Sequence, residues 1–216
     1  MDAPILADFV RCGPTDRLLE IGTGCGIIAL ILFRKRRFQS LLALEIQPEL
    51  AALANRNIRL NRAARRLAIR AGDARDPALL AGQAPFDVVF ANPPYRSLGR
   101  GKLNPDTQKA IARHELRLTP PELMGVAQAR LRPDGRLFLV HLPERVPELV
   151  KIAGDFGFEL RQRRLVFSRP ESPAPKLALL RFERGPAGAE VLPPLYIYSD
   201  EKQYSTEFEL MISSTH

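Results

Sequence analysis

Short apolar runs alternate with helical patterns along most of this chain. Arg17-Leu18-Leu19-Glu20-Ile21, Leu41-Leu42-Ala43-Leu44-Glu45, Leu67-Ala68-Ile69-Arg70-Ala71, Phe86 to Ala91 and Arg136-Leu137-Phe138-Leu139-Val140 predict five strands. Between them, Ile27 to Phe33, Pro48 to Asn61, Pro121 to Leu131 and Glu148 to Phe156 carry helical spacing. Pro48 falls in a first turn, and the Pro133-Asp134-Gly135 turn is expected to end the third helix. Leu160 to Phe167 and Lys176 to Phe182 add a last pair of strands across the Pro-rich segment Ser168 to Pro175. Such alternation predicts an α/β fold: a doubly wound, mostly parallel seven-stranded sheet with an antiparallel edge hairpin. No repeat or linker interrupts it, so residues 1–216 are read as one domain.

Chemistry enters at the strand ends. Glu20-Ile21-Gly22-Thr23-Gly24-Cys25-Gly26 closes the first strand and opens a helix, the place where ligands of open α/β sheets bind. Glycines let the backbone turn tightly and approach a ligand. Their spacing, Gly-x-Gly-x-Gly, does not meet the dinucleotide pattern, which argues against a pyrophosphate cradle. Glu20 beside them would repel a phosphate and suit a cationic or amine-bearing ligand. Glu45 ends the next strand, where a carboxylate accepts ribose hydroxyls. Gly72-Asp73-Ala74 ends the third, where Asp73 could accept from an adenine amino group beside apolar Ala74. For each acid, helix capping is the competing role, and Asp73 could fill it well. Together they describe a nucleoside with a positive charge and no phosphate, and S-adenosylmethionine fits.

The fourth strand runs into Asn92-Pro93-Pro94-Tyr95. Proline cannot continue a sheet ladder and holds the preceding residue extended, so this corner fixes an amide, a carbonyl and an aromatic face in one place. That set suits a flat amino-bearing acceptor; a Pro-rich turn with Asn92 satisfying local backbone is the alternative. Residues 96–109 then form a long polar loop with glycines at 99 and 101, a length often functional in compact domains.

Bulk properties narrow the partners. The 32 Lys and Arg against 24 acidic residues give a net charge of +8, which admits a polyanionic partner. Of the arginine clusters (Arg34 to Arg37, Arg56 to Arg70, Arg96 to Arg117, Arg161 to Arg164), only the third adjoins the suspected acceptor corner. No apolar stretch is long enough to span a bilayer and no signal pattern opens the chain, so a cytoplasmic protein is expected. Cys12 and Cys25 are too few for a disulfide framework, and Cys25 reads as a packing residue. His114, His141 and His216 lack metal-ligand spacing; no metal is expected.

Glu20 through Gly26, Glu45, Asp73 and Asn92-Pro-Pro-Tyr95 together resemble the class I S-adenosylmethionine-dependent amino-methyltransferases, a Rossmann-like family. Asp2-Ala3-Pro4-Ile5-Leu6-Ala7-Asp8-Phe9, Arg113-His114-Glu115-Leu116, His141-Leu142-Pro143-Glu144-Arg145 and Gln203-Tyr204-Ser205 are similar to one branch. That branch is the bacterial tRNA adenine-N6 methyltransferases acting on A37 of a valine tRNA, whose members usually carry more residues before Asp2. The resemblance implies S-adenosylmethionine held by Glu20, Gly22, Thr23, Gly24, Gly26, Glu45, Ile46, Asp73 and Ala74. It implies methyl transfer to an exocyclic nitrogen held by Asn92, Pro93 and Pro94, with Tyr95 stacked on the base, and no metal. Arg96, Arg100, Lys102 and Arg113 are then expected to meet RNA phosphates. Adenine of rRNA or DNA, a protein glutamine amide, and RNA binding without catalysis remain alternatives, and the oligomeric state, monomer or homodimer, is left open.

A protein that neutralises phosphates loses affinity steeply as salt rises. The Arg100→Ala/Lys102→Ala double variant should therefore flatten the slope of log affinity for tRNA against log salt. Filter-binding titrations across a salt series measure it; an unchanged slope rejects the assignment.

Overall fold

The computed structural model describes residues 2–93, 118–200 and 203–213. Helix α1 (Asp2–Phe9) precedes strand β1 (Arg17–Ile21), and α2 (Ile27–Lys35), β2 (Ser40–Glu45), α3 (Pro48–Leu60), β3 (Leu67–Ala71) and β4 (Phe86–Ala91) follow. After α4 (Pro120–Arg130) come β5 (Leu131–His141), α5 (Val146–Asp155), β6 (Glu159–Phe167) and β7 (Leu177–Glu183). Two short strands, β8 (Glu190–Val191) and β9 (Leu195–Tyr196), and helix α6 (Thr206–Ser213) complete the described chain. The strand order is β3-β2-β1-β4-β5-β7-β6-β8, with β9 also on β6. Strands β1 to β5 run parallel, and β7 is antiparallel to both β5 and β6.

The expected doubly wound sheet is present, with three differences. It has nine described strands rather than seven, because β8 and β9 run parallel along the outer edge of β6. They amount to one edge strand interrupted at Pro193 and Pro194, which lack the amide a ladder needs. Arg164 Nε donates to the freed Pro193 carbonyl at 2.9 Å. Second, the Pro133-Asp134-Gly135 turn does not follow a helix but lies inside β5. Leu131 already pairs with Phe86, and pairing resumes at Arg136 with Val88, so residues 132–135 are a bulge. Third, α1 and α6 have no counterpart in the periodicity reading, being short helices whose buried faces are set by partners distant in sequence.

Those two helices share one layer with α2. Leu18, Val88, Phe90, Phe138 and Val140 on this face of the sheet pack with Ile5, Leu6, Phe9, Ile28 and Phe208. Phe9 meets Phe138 edge-on with centroids 5.6 Å apart. The opposite face, with Leu19, Val89, Leu137 and Leu180, is covered by α4 and α5 through Met124, Ala127, Leu149 and Ala153.

The carboxyl ends of α1, α2 and α6 carry carbonyls that no intrahelical amide satisfies. Arg11 and Arg36 donate to the Asp8 carbonyl, and Lys35 Nζ to that of Met211. The Arg34 to Arg37 cluster therefore sits where helix dipoles favour cations, and much of it is structural rather than a free basic face.

Candidate functional site

Register sets the site. In the parallel core, Ile21 stands opposite both Leu44 and Ala91, and Glu45 opposite Ala71. One residue further, Gly22, Glu45 and Asn92 emerge side by side, with Gly72 and Asp73 beyond Glu45. The strand order turns at β1, with β2 on one side and β4 on the other, so a crevice opens at this edge.

A cavity of about 400 Å³ occupies it. Gly22, Gly24, Glu45, Ile46, Asp73, Ala74, Asn92 and Pro93 all line its wall. Gly22 and Gly24 have φ of +75° and +59°, which L side chains rarely adopt, and an added Cβ on either would meet no atom within 4 Å. Their bare backbone thus borders open space. Gly26 serves differently: an added Cβ would lie 3.3 Å from that of Ala54, so this glycine permits close packing of α2 on α3.

The Glu45 carboxylate is nearly buried, and it accepts from the Gly24 amide at 2.7 Å and the Gln47 amide at 3.0 Å. It thereby joins the glycine turn to the loop after β2. The amides of Gly22 and Thr23 both donate to the Leu44 carbonyl, which closes the same turn from its backbone side.

Glu20 and Thr23 are placed otherwise than the sequence reading expects. Neither lines the cavity. Side chains alternate along β1, and Glu20 falls on the face of Leu18, beneath α2. It is 1% exposed, accepts from Thr23 Oγ1 at 2.7 Å, and its Oε1 has no hydrogen-bond partner. Burial pushes its carboxyl up to about 7. This acid braces the turn from behind.

Asp73 does line the cavity, and it is also engaged by Arg75. Arg75 Nε and Nη2 reach Asp73 Oδ2 at 2.9 and 2.6 Å, and the Arg75 amide donates to Oδ1 at 2.9 Å. The hydrogen bonds from Arg75 hold Asp73 below the usual carboxylate range. Arg75 Nη1 also reaches Glu122 Oε1 at 3.1 Å. Glu122 belongs to a capping box with Thr119 at the start of α4.

Leu44, Leu50, Gly72, Leu118 and Leu123 also form the wall, unanticipated from sequence. Their apolar type marks them as core, and only chain proximity (Gly72 beside Asp73) hinted at more. Among the described residues, no Lys, Arg or His lines the cavity. His141, buried at the carboxyl end of β5, accepts the Leu142 amide at Nδ1 at 2.9 Å, and desolvation lowers its pKa below the usual imidazole value. Pro94, Tyr95, Arg96, Arg100, Lys102, Arg113, His114 and His216 lie outside the described residues. Among the described residues, no group of three or more His, Cys, Asp or Glu side chains could hold a metal ion.

Comparisons with known proteins point one way. The family described as methyltransferase small domain matches residues 3–152. A Tolumonas auensis protein named tRNA1(Val) (adenine(37)-N6)-methyltransferase is 32% identical over 209 residues, covering 96% of this chain and 84% of its own length. A Porphyromonas gingivalis protein of the same name is 35% identical over 154 residues, 70% of this chain and 56% of that one. Among solved structures, an Agrobacterium tumefaciens protein described as a predicted O-methyltransferase superposes with a TM-score of 0.76 at 20% identity, covering 100% of this chain and 97% of that one. TrmN from Thermus thermophilus does so at 0.58 and 24% identity, covering 85% of this chain and 48% of its own. These two likenesses concern the fold.

Burial of Glu20 makes stability depend on pH with a defined sign. Its folded pKa of about 7 exceeds the unfolded value near 4.5, so the folded state binds the extra proton between them. Stability is thus greatest below the unfolded pKa and falls as pH rises through 7, by a few kcal/mol at most. His141, its pKa lowered from 6.5 by burial, acts in the opposite direction below that pH, within the same range. Urea midpoints of the wild type and Glu20→Gln at pH 5, 6, 7 and 8 separate the two. The variant should gain on the wild type as pH rises, and a constant difference would contradict the assignment.

Proposed function

The chain belongs to the methyltransferase small domain family, and from that membership we propose that it moves a methyl group from S-adenosylmethionine to the N6 amino group of an adenine in tRNA. The names of its relatives point to position 37 of a valine tRNA. One observation carries the reading: a single cavity joins Glu45 and Asp73 at two strand ends to Asn92 and Pro93 at a third.

The residues present fit the cofactor. The two carboxylates, Glu45 and Asp73, with no cationic side chain among the described lining residues, favour a positively charged ligand without phosphate. The unobstructed backbone at Gly22 and Gly24 admits close approach, and the volume lies within the usual range for small-molecule sites. When bound, S-adenosylmethionine supplies a methyl group on a sulfonium centre.

Each Glu45 oxygen accepts one backbone amide, which leaves each a lone pair for a ribose hydroxyl. Asp73 accepts from the adenine amino group of the cofactor, and Ile46, Ala74 and Leu50 supply apolar surface for the ring. At the other end, the Asn92 side-chain oxygen and the Pro93 carbonyl accept the two protons of the acceptor amine. Held so, the conjugated amine turns its lone pair out of the ring plane toward the donor. Proline rigidity at this corner supplies orientation, the main source of rate where no strong base is required. The alkylated nitrogen becomes acidic and releases its proton to water. A target inside the anticodon loop must leave its stack first, at a cost of a few kcal/mol that Tyr95 stacking offsets. A tRNA substrate implies a cytoplasmic protein; no described helix is long and apolar enough to cross a membrane.

Incubation with labelled S-adenosylmethionine and unmodified tRNA, rRNA and DNA, followed by nucleoside mass spectrometry, tests the proposal. N6-methyladenosine should form in tRNA alone. Asn92→Ala should lower turnover by at least about a hundredfold, in line with losing an orienting group, while S-adenosylmethionine affinity stays within twofold. Retained turnover would reject the role given to Asn92.

A further inference from the structure

Arg75 belongs to no motif singled out in the sequence and is not among the described lining residues, yet it makes a dense set of polar contacts at the cavity rim. Its guanidinium grips Asp73 on one side, with Nη2 at 2.6 Å and Nε at 2.9 Å from Oδ2 and Nε at 3.0 Å from Oδ1. On the other side, Nη1 reaches Glu122 at 3.1 Å. Glu122 is fixed in turn, because its Oε2 accepts both the Thr119 amide at 2.7 Å and Thr119 Oγ1 at 2.8 Å. The chain of contacts thus runs from the loop after β3 to the first turn of α4. Asp73 lines the cavity at one end of this chain, and Leu118 and Leu123 line it at the other.

The arrangement has a chemical consequence for Asp73. A carboxylate beside Gly72 and Ala74 can rotate about χ2 and present either oxygen. A two-pronged guanidinium contact fixes the plane of that carboxylate, and an ion pair keeps it ionised, so it can only accept hydrogen bonds. An acceptor held in one orientation distinguishes a ligand that offers an amino group from one that offers a carbonyl at the same place. The side chains of Arg75, Asp73 and Glu122 each keep about a third of their surface exposed, so the pairing does little for folding on its own. Its effect lies in geometry.

We infer that Arg75 is a positioning residue that sets Asp73 to read the exocyclic amino group of the nucleoside in this cavity, and so confers selectivity for adenine over a 6-oxo purine. The inference rests on the reading of the cavity as the S-adenosylmethionine site. Lysine at position 75 keeps the charge but not the fork, so it should restore selectivity only in part. Glu122→Gln keeps a residue competent for the capping box while removing the charge that steadies the outer side of Arg75. It should weaken selectivity less than loss of Arg75 itself.

The test compares S-adenosylhomocysteine with S-inosylhomocysteine, which carries a carbonyl in place of the amino group, by calorimetric titration. The wild type should bind the adenine compound at least about tenfold more tightly, the scale expected for a site built around a hydrogen bond. Arg75→Ala should weaken the adenine compound about tenfold and shift the inosine compound less than twofold, with Arg75→Lys and Glu122→Gln between. Thermal midpoints of the three variants accompany the titrations, and a loss of affinity in Arg75→Lys with an unchanged midpoint excludes unfolding as its cause. Equal weakening of both ligands would assign Arg75 to closing the rim and overturn the inference, as would unchanged or tighter binding of the adenine compound. Failure of the wild type to bind either compound would instead remove the cofactor reading on which the inference stands.

Discussion

The Glu45 carboxylate, held between the amides of Gly24 and Gln47, is the contact on which the rest of this site depends. The amides of Gly22 and Thr23 tie the glycine turn to the Leu44 carbonyl, and the Glu45 bridge extends that tie to the loop after β2. Breaking it would leave two amides and a nearly buried carboxylate short of partners, at about 1–3 kcal/mol for each buried group. With the bridge in place, the glycine turn keeps its left-handed backbone at Gly22 and Gly24, and one wall of the cavity acquires its shape. The carboxylate is thus a strut that keeps lone pairs free toward the cavity, which suits the ribose-binding role proposed for it.

Glu20 shows how far two acids at equivalent strand ends can diverge. By alternation both fall on the same face of the sheet, but Glu20, opposite Ala43, lies one residue short of the end of its strand. That places it beneath α2, where burial rather than a ligand decides its protonation. Glu45, the last residue of β2, sits where its oxygens can bridge the two turns. The third acid, Asp73, lies past its strand and is handled by a neighbouring arginine instead. Three carboxylates at three strand ends thus take different parts: a brace, a strut and, in the proposed function, a reader.

Arginine has a second use away from the cavity. Several guanidinium groups donate to backbone carbonyls rather than to acids: Arg66 to Phe38, Arg17 to Ala84, Arg184 to Gln128 and Arg70 to Leu79. These contacts satisfy loop and helix-end carbonyls that a parallel sheet with short connections leaves over. A surplus of basic residues is therefore partly a consequence of how the loops are stapled, and net charge alone overstates the surface available to a polyanion.

The alternation of apolar runs and helical spacing determined the parallel core, because strands buried on both faces must be uniformly apolar and crossovers must be amphipathic. It also located the ends of β1 to β4, and hence Gly22, Gly24, Glu45, Ile46, Asp73, Ala74, Asn92 and Pro93, since turn and strand-end residues differ sharply in type from strand interiors. Helices α1 and α6 were not legible, for their faces are defined by each other and by α2 rather than by a long local period. Nor was the bulge of residues 132–135, where a turn signal that usually ends a helix was absorbed into a strand. What only the tertiary structure decided is direction: that Glu20 points under the sheet's helix, that Gly26 serves packing, and that Arg75 reaches from Asp73 to Glu122, 47 positions away. Residue type is written along the chain, but which way a side chain faces and what it meets depends on strand register and on elements brought together from far apart.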